Sequence, residues 1–133
     1  MIITSLYAGL LALWFLALSA RVVQQRSVPN GIGLGDGGDA TLLRRIRGHG
    51  NFAEYTPLSL ILLGLLEYGG TLPIWLLHLL GLTLLGSRIL HGVALSFSTH
   101  WKFGRFYGTV LGFLLLLVMG LLCAWRGVAG VLV

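Results

Sequence analysis

"RIRGHGNFAEYTPLSLILLGLL", Arg45 to Leu66, is the stretch on which the fold turns. Its second half, Phe52 to Leu66, is apolar but too short to cross a bilayer alone, since a spanning helix needs about 20 residues. Its first half carries Arg45, Arg47, His49 and Asn51, and Glu54 stands near the start of the second. The segment reaches spanning length only if its helix starts earlier, near Ala40 or Thr41, with a polar half at one membrane face. Three other apolar segments are plainer: Ile2 to Ala20, Leu72 to about Leu95 (interrupted by Arg88 and His91), and Phe106 to Ala124. The expectation is an all-α integral membrane protein, a four-transmembrane-helix bundle forming a single domain over 1–133. Its helices are expected at about 2–26, 40–67, 72–97 and 103–129. Backbone groups in lipid must be satisfied internally, and no ten-residue alternating stretches suggest a barrel, so helices are the spanning form.

Composition agrees. Of 133 residues, 56% are hydrophobic and 10% charged, with a mean hydropathy of +0.91. A soluble domain of this size has a high surface-to-volume ratio and needs far more polar surface. The net charge of +5 does not point to nucleic acid, because the basic residues fall between apolar segments and form no exposed stripe. No Lys or Arg precedes the first apolar segment, which is long for a signal peptide, so it reads as a retained helix. The single cysteine, Cys123, lies deep in the last apolar run, excludes an intrachain disulfide and reads as a small packed residue.

Loop charges set the expected orientation. Arg21, Arg26, Arg44, Arg45 and Arg47 lie around the first connection, and Arg88, Lys102 and Arg105 around the third. The second connection has Glu67 and no basic residue, and only Arg126 dissents. Both basic connections are expected to face the cytoplasm, with both termini outside it.

Two motifs mislead. "GLGDGG", Gly33 to Gly38, matches the dinucleotide pattern, but no strand precedes it and a membrane helix follows. It reads as a connector whose Asp39 caps the second helix. The histidines His49, His78, His91 and His100 show no i, i+3 or i+4 pairing with another His or a carboxylate, so no metal is expected. His78 reads as hydrogen-bonded to a neighbouring helix.

On a helix turning about 100° per residue, with Arg47 at zero, Asn51 falls near 40°, Glu54 near −20°, Arg44 near 60° and Tyr55 near 80°. These five residues form one polar stripe, and His49 and Arg45 point to the far side. A carboxylate inside a membrane helix is costly and normally faces the bundle interior, where it finds a partner. One reading is an ion pair with an arginine that fixes packing. The other is a site for a small zwitterion, with arginines for its carboxylates, Glu54 for its ammonium and Asn51 for an amide. Arg26, Arg88, His91, Lys102 and Arg105 stand at the same membrane level and favour an anionic ligand.

The pattern Arg47-x-x-x-Asn51-x-x-Glu54-Tyr55-x-Pro57, with "GSRILHG" from Gly86 to Gly92, resembles the MAPEG family, the membrane-associated proteins in eicosanoid and glutathione metabolism. Length and the "GDGG" loop look most like small bacterial members. The resemblance implies a homotrimer in a bacterial inner membrane, with sites between subunits facing the cytoplasm and glutathione as the thiol substrate. It implies that Arg26 and Arg47 hold the glutathione carboxylates, that Asn51 adds hydrogen bonds and Glu54 meets the ammonium, and that Tyr55, Arg88 and His91 line the site. The thiol-activating cation falls to Arg105 first and Lys102 second. A cation lowers a thiol's pKa and stabilises the thiolate nucleophile. The implied activity is a transferase or peroxidase of the detoxification type, acting on lipophilic electrophiles. His91 and Leu95 stand where catalytic members carry tyrosines. A non-catalytic lipid- or glutathione-binding member therefore stays open, as does a small transporter using Glu54. Gly81, Gly86 and Gly112 are expected to permit close helix approach.

Overall fold

A computed structural model describes residues 1–29 and 31–132. It contains four helices: α1 (Ile2–Arg26), α2 (Ala40–Tyr68), α3 (Ile74–Ser96) and α4 (Lys102–Val131). α1, α3 and α4 are each long and apolar enough to cross a membrane. α2 falls short on hydropathy because of its charged first half, but its 29 residues form one continuous helix. At 1.5 Å per residue it is about 43 Å long, enough to cross hydrocarbon and protrude.

The ends have local causes. The Asp39 carboxylate accepts from the backbone N–H of Thr41 at 2.8 Å and of Leu42 at 3.1 Å, so it caps α2 as its position suggests. The amide of Gln25 also donates to Asp39 at 2.8 Å, tying the end of α1 to the start of α2. Those three donors, Gln25 first, hold the Asp39 carboxyl below the usual carboxylate range.

Cross-helix contacts give the topology. Arg45, early in α2, donates to the carbonyl of Arg21, late in α1, at 2.8 Å. Glu67, late in α2, reaches Ile3 and Thr4 at the start of α1. α1 and α2 are thus antiparallel. The Arg88–Asn51 and Arg88–Gly108 contacts fix α3 antiparallel to both α2 and α4. α2 and α3 occupy the middle of the bundle, with α1 and α4 on opposite flanks.

The core is built from leucine. Leu11, Leu18, Leu63, Leu66, Leu84 and Met119 are fully buried, joined by Tyr7 and Phe52. The outer surface is equally apolar, with Leu13, Leu16, Leu117 and Leu121 more than half exposed. Such a surface requires lipid around it. Between lipid-bathed helices the hydrophobic effect supplies little, so close packing and hydrogen bonds must hold the bundle. The α3–α4 seam shows this. Gly104, Gly108 and Gly112, four residues apart, are all buried on one face of α4. A Cβ on Gly108 would lie 2.7 Å from the backbone nitrogen of His91 and 2.8 Å from the carbonyl oxygen of Ser87. Only glycine permits that approach.

Of the glycines singled out in the sequence, Gly112 makes room for the Arg88 guanidinium and Gly81 for the Tyr7 ring, while Gly86 faces open space. The Tyr7 hydroxyl lies 3.1 Å from His78 Nδ1, which ties His78 to a neighbouring helix as expected. Arg126, the dissenter in the charge count, donates to the carbonyls of Leu65 and Leu66 at the C-terminal end of α2. A cation there is favoured by the helix dipole.

Candidate functional site

Between the charged half of α2 and the facing ends of α3 and α4 lies a pocket of about 370 Å³. Arg44, Arg47 and Asn51 of α2 line it, with His91 and Leu95 of α3 and Arg105 and Thr109 of α4. Among the described residues, no carboxylate lines this pocket. Three arginines around one concavity, unneutralised, make a site for an anion. The Arg44 guanidinium is anchored on the Thr99 carbonyl at 3.0 Å. Among the described residues, the side chains of Arg47 and Arg105 make no hydrogen bond or ion pair.

Arg88 is placed differently from the pocket arginines. It is buried at 3% exposure, where its Nη1 donates to Asn51 Oδ1 at 2.9 Å and its Nη2 to the Gly108 carbonyl at 3.3 Å. Its guanidinium carbon lies 5.9 Å from the centre of the Tyr55 ring. Trp14 of α1 donates to the Arg88 carbonyl at 3.1 Å and fixes this stretch of α3. Arg88 therefore holds Asn51 by its oxygen, leaving the Asn51 amide N–H₂ as a donor toward the pocket. Tyr55 packs on Phe113 of α4, ring centres 5.4 Å apart.

Glu54 departs from expectation. It is exposed on the outside of α2 and, among the described residues, forms neither a hydrogen bond nor an ion pair. The structure does not show the inward-facing, partnered carboxylate that the cost of a membrane charge suggests. The reason is the rotation of α2: Phe52, Thr56, Ser59 and Leu63 turn inward and are buried, which leaves Glu54 at the rim of the stripe. Within one chain Glu54 is not paired with an arginine.

Arg26 lies outside the pocket lining; its Nη1 donates to the carbonyls of Ile32 at 2.8 Å and Gly35 at 3.0 Å, organising the first connection. Lys102 is exposed at the start of α4 and does not line the pocket, whereas Arg105, one turn later, does. His49 and Arg45 point away as the helical angles place them, His49 stacking on Phe15 at 4.5 Å. Leu43 and Thr109 line the pocket without having been singled out in the sequence, and Arg44 of the polar stripe lines it too. Arg44 was within reach of the sequence, being one turn before Arg47 on the same stripe. Thr109 was signalled only by its spacing of four from Arg105.

The model of the MAPEG family matches residues 4–125. The chain is 37% identical over 89 residues to the inner membrane protein YecN of Escherichia coli K12, covering 67% of this chain and 66% of that protein. It matches YecN of Escherichia coli O6:H1 to the same extent. The matched stretch thus spans about two thirds of each relative's length. No solved structure matches the chain. The family match takes in nearly the whole bundle and every residue of the arginine-lined pocket: the chain belongs to the MAPEG family.

Proposed function

We propose that the protein is a membrane-embedded, glutathione-dependent transferase or peroxidase that acts on lipophilic electrophiles. The single observation that carries this reading is the pocket of three arginines with Asn51 and no carboxylate. Glutathione brings two carboxylates, an amide backbone and a thiol. Arg44 and Arg47 suit the carboxylates, and the Asn51 amide held by Arg88 suits a peptide carbonyl. Arg105 then stands as the cation for the sulfur. It favours loss of the S–H proton to water, and the thiolate forms the new bond to the electrophile as a leaving group departs.

The ammonium of glutathione finds no acid in this pocket. Glu54, exposed in an apolar belt, supports a site completed by a second copy of the chain, because a carboxylate facing lipid is expensive. A homotrimer is the form that the family resemblance implies. With basic connections on the cytoplasmic side, the pocket faces the cytoplasm from an inner membrane and both termini lie outside it. Apolar reactants reach such a site from the bilayer.

The test uses the purified oligomer. Glutathione should bind at millimolar concentration and conjugate to 1-chloro-2,4-dinitrobenzene, and absence of binding sinks the proposal. Arg47→Ala and Glu54→Ala should lose affinity. A second reading, a member that binds glutathione or lipid without turnover, is favoured by His91 and Leu95 on the pocket wall. Binding without conjugation to any electrophile selects it.

A further inference from the structure

The opposite end of the bundle holds a second cavity of about 400 Å³, between the end of α2, the link to α3 and the end of α4. Its walls are Leu66, Leu72, Leu122 and Ala129, and its polar groups are Thr71, Trp125 and Arg126. Among the described residues, Arg126 is the one cation that lines it. The nearest acid in the chain's layout, Glu67, is committed elsewhere: its carboxylate accepts from Ile3 N at 2.9 Å and Thr4 N at 2.8 Å, and from the Thr4 hydroxyl. Among the described residues, no carboxylate pairs with Arg126. Its own contacts, both from Nη1, are 3.5 Å to the Leu65 carbonyl and 3.4 Å to the Leu66 carbonyl. Strong N–H···O bonds lie at about 2.7–3.2 Å, and a guanidinium has five N–H donors. Most of its bonding capacity is unspent.

The level of this cavity in the membrane follows from its neighbours. Tyr68, Trp75 and Trp125 are exposed at 83%, 67% and 73%. Exposed Tyr and Trp collect where headgroups meet hydrocarbon. A cation at that depth, above an apolar trough, matches one kind of molecule: a phosphate attached to acyl chains.

We propose that this cavity binds a membrane phospholipid, its phosphate on Arg126 and one acyl chain along Leu66, Leu72 and Leu122. Thr71 and the Trp125 indole lie where they can add donors to the headgroup. The apolar walls are covered by lipid in any bilayer, and Arg126 selects the lipid by its phosphate. The site is independent of the arginine-lined pocket and of any thiol chemistry there.

The experiment is mass spectrometry of the intact oligomer in detergent after incubation with phosphatidylglycerol, diacylglycerol or inorganic phosphate. The wild-type protein should retain phosphatidylglycerol and not diacylglycerol, and millimolar inorganic phosphate should not displace it. Arg126→Gln keeps an amide donor for the α2 carbonyls and should retain about tenfold less phosphatidylglycerol, whereas Arg126→Lys, which keeps the charge, should stay close to wild type. Ala129→Trp narrows the cavity without touching Arg126 and should also lower retention, which keeps the proposal testable if Arg126→Gln fails to fold. Equal retention of both lipids, or by wild type and Arg126→Gln, overturns it. Displacement by inorganic phosphate makes the ligand a free anion and overturns the lipid assignment. A change of oligomeric state in Ala129→Trp, with lipid content unaltered, makes the cavity a contact between copies and overturns it too.

Discussion

The two ends of the bundle use charge in opposite ways. At one end, Glu67 closes the start of α1 from across the bundle, taking two backbone N–H groups and the Thr4 hydroxyl, and Arg126 lies on the last carbonyls of α2. Those charges complete helix termini that have no partners of their own. At the other end Arg44, Arg47 and Arg105 surround a cavity that, among the described residues, no acid lines. The difference teaches where to look for function: the Glu67 carboxylate, filled by backbone N–H groups and a hydroxyl, is spent on structure, whereas cations with no acid beside them among the described residues keep donors for a ligand.

The sharpest way to break this contrast is to remove one charged side chain from each end. Arg105→Ala should cut conjugation by about 100-fold, the order seen when one charge-stabilising group is lost from an active site, with the melting temperature unmoved. An unchanged rate shifts the thiol-activating role to Lys102. Next in size is the seam that holds the pocket together. Gly108→Ala sets a methyl group against the α3 backbone and should cost about 1–3 kcal/mol, the usual range for overpacking. Thermal unfolding in detergent measures it, and a neutral result would show that the helices can separate freely. At the opposite end, Glu67→Ala leaves the first turn of α1 uncapped and should cost about 1 kcal/mol, with glutathione affinity unchanged. A loss of affinity there would erase the distinction between the two ends. The smallest effect is at Asp39. Its carboxyl is held below the usual range, so its folded pKa lies below its unfolded value of about 3.9. The stability it adds is complete above that value and is lost as pH falls through the lowered one. Wild type should show this acid loss in a melting-temperature series, and Asp39→Ala should not.

Much of the fold was legible because its determinants are local. Apolar runs separated by Gly, Pro and charge place four helices, and an Asp just before an apolar run places a cap. The pairing of His78 followed from the cost of a polar ring in an apolar helix. Helix rotation was harder to read. A helix in lipid is apolar on every side, so hydropathy cannot say which side turns inward. That decision falls to Phe52, Ser59 and Leu63 packing on neighbours, and it turned Glu54 outward against expectation. The Gly104–Gly108 seam was overlooked for a related reason: close approach is a property of two helices, and one sequence segment shows only half of it. The stripe Arg44, Arg47, Asn51 was readable because it depends on spacing within one helix. The reach of Arg88 to Asn51 depends on α3 and α2 together.

α2 has a consequence for the membrane itself. Its apolar half, Phe52 to Leu66, spans 15 residues, or about 22 Å of helix, against a hydrocarbon thickness of about 30 Å. α1 and α4 have no such shortfall. The bundle is therefore taller in apolar height on some flanks than on the flank that α2 presents. There the bilayer must thin or another surface must take its place. The arginine-lined pocket stands at the top of that short flank, so a thicker membrane draws acyl chains up to its rim and a thinner one leaves it in water. On the proposed function, lipid thickness thus becomes a setting on how easily a greasy reactant meets a water-soluble one at this protein.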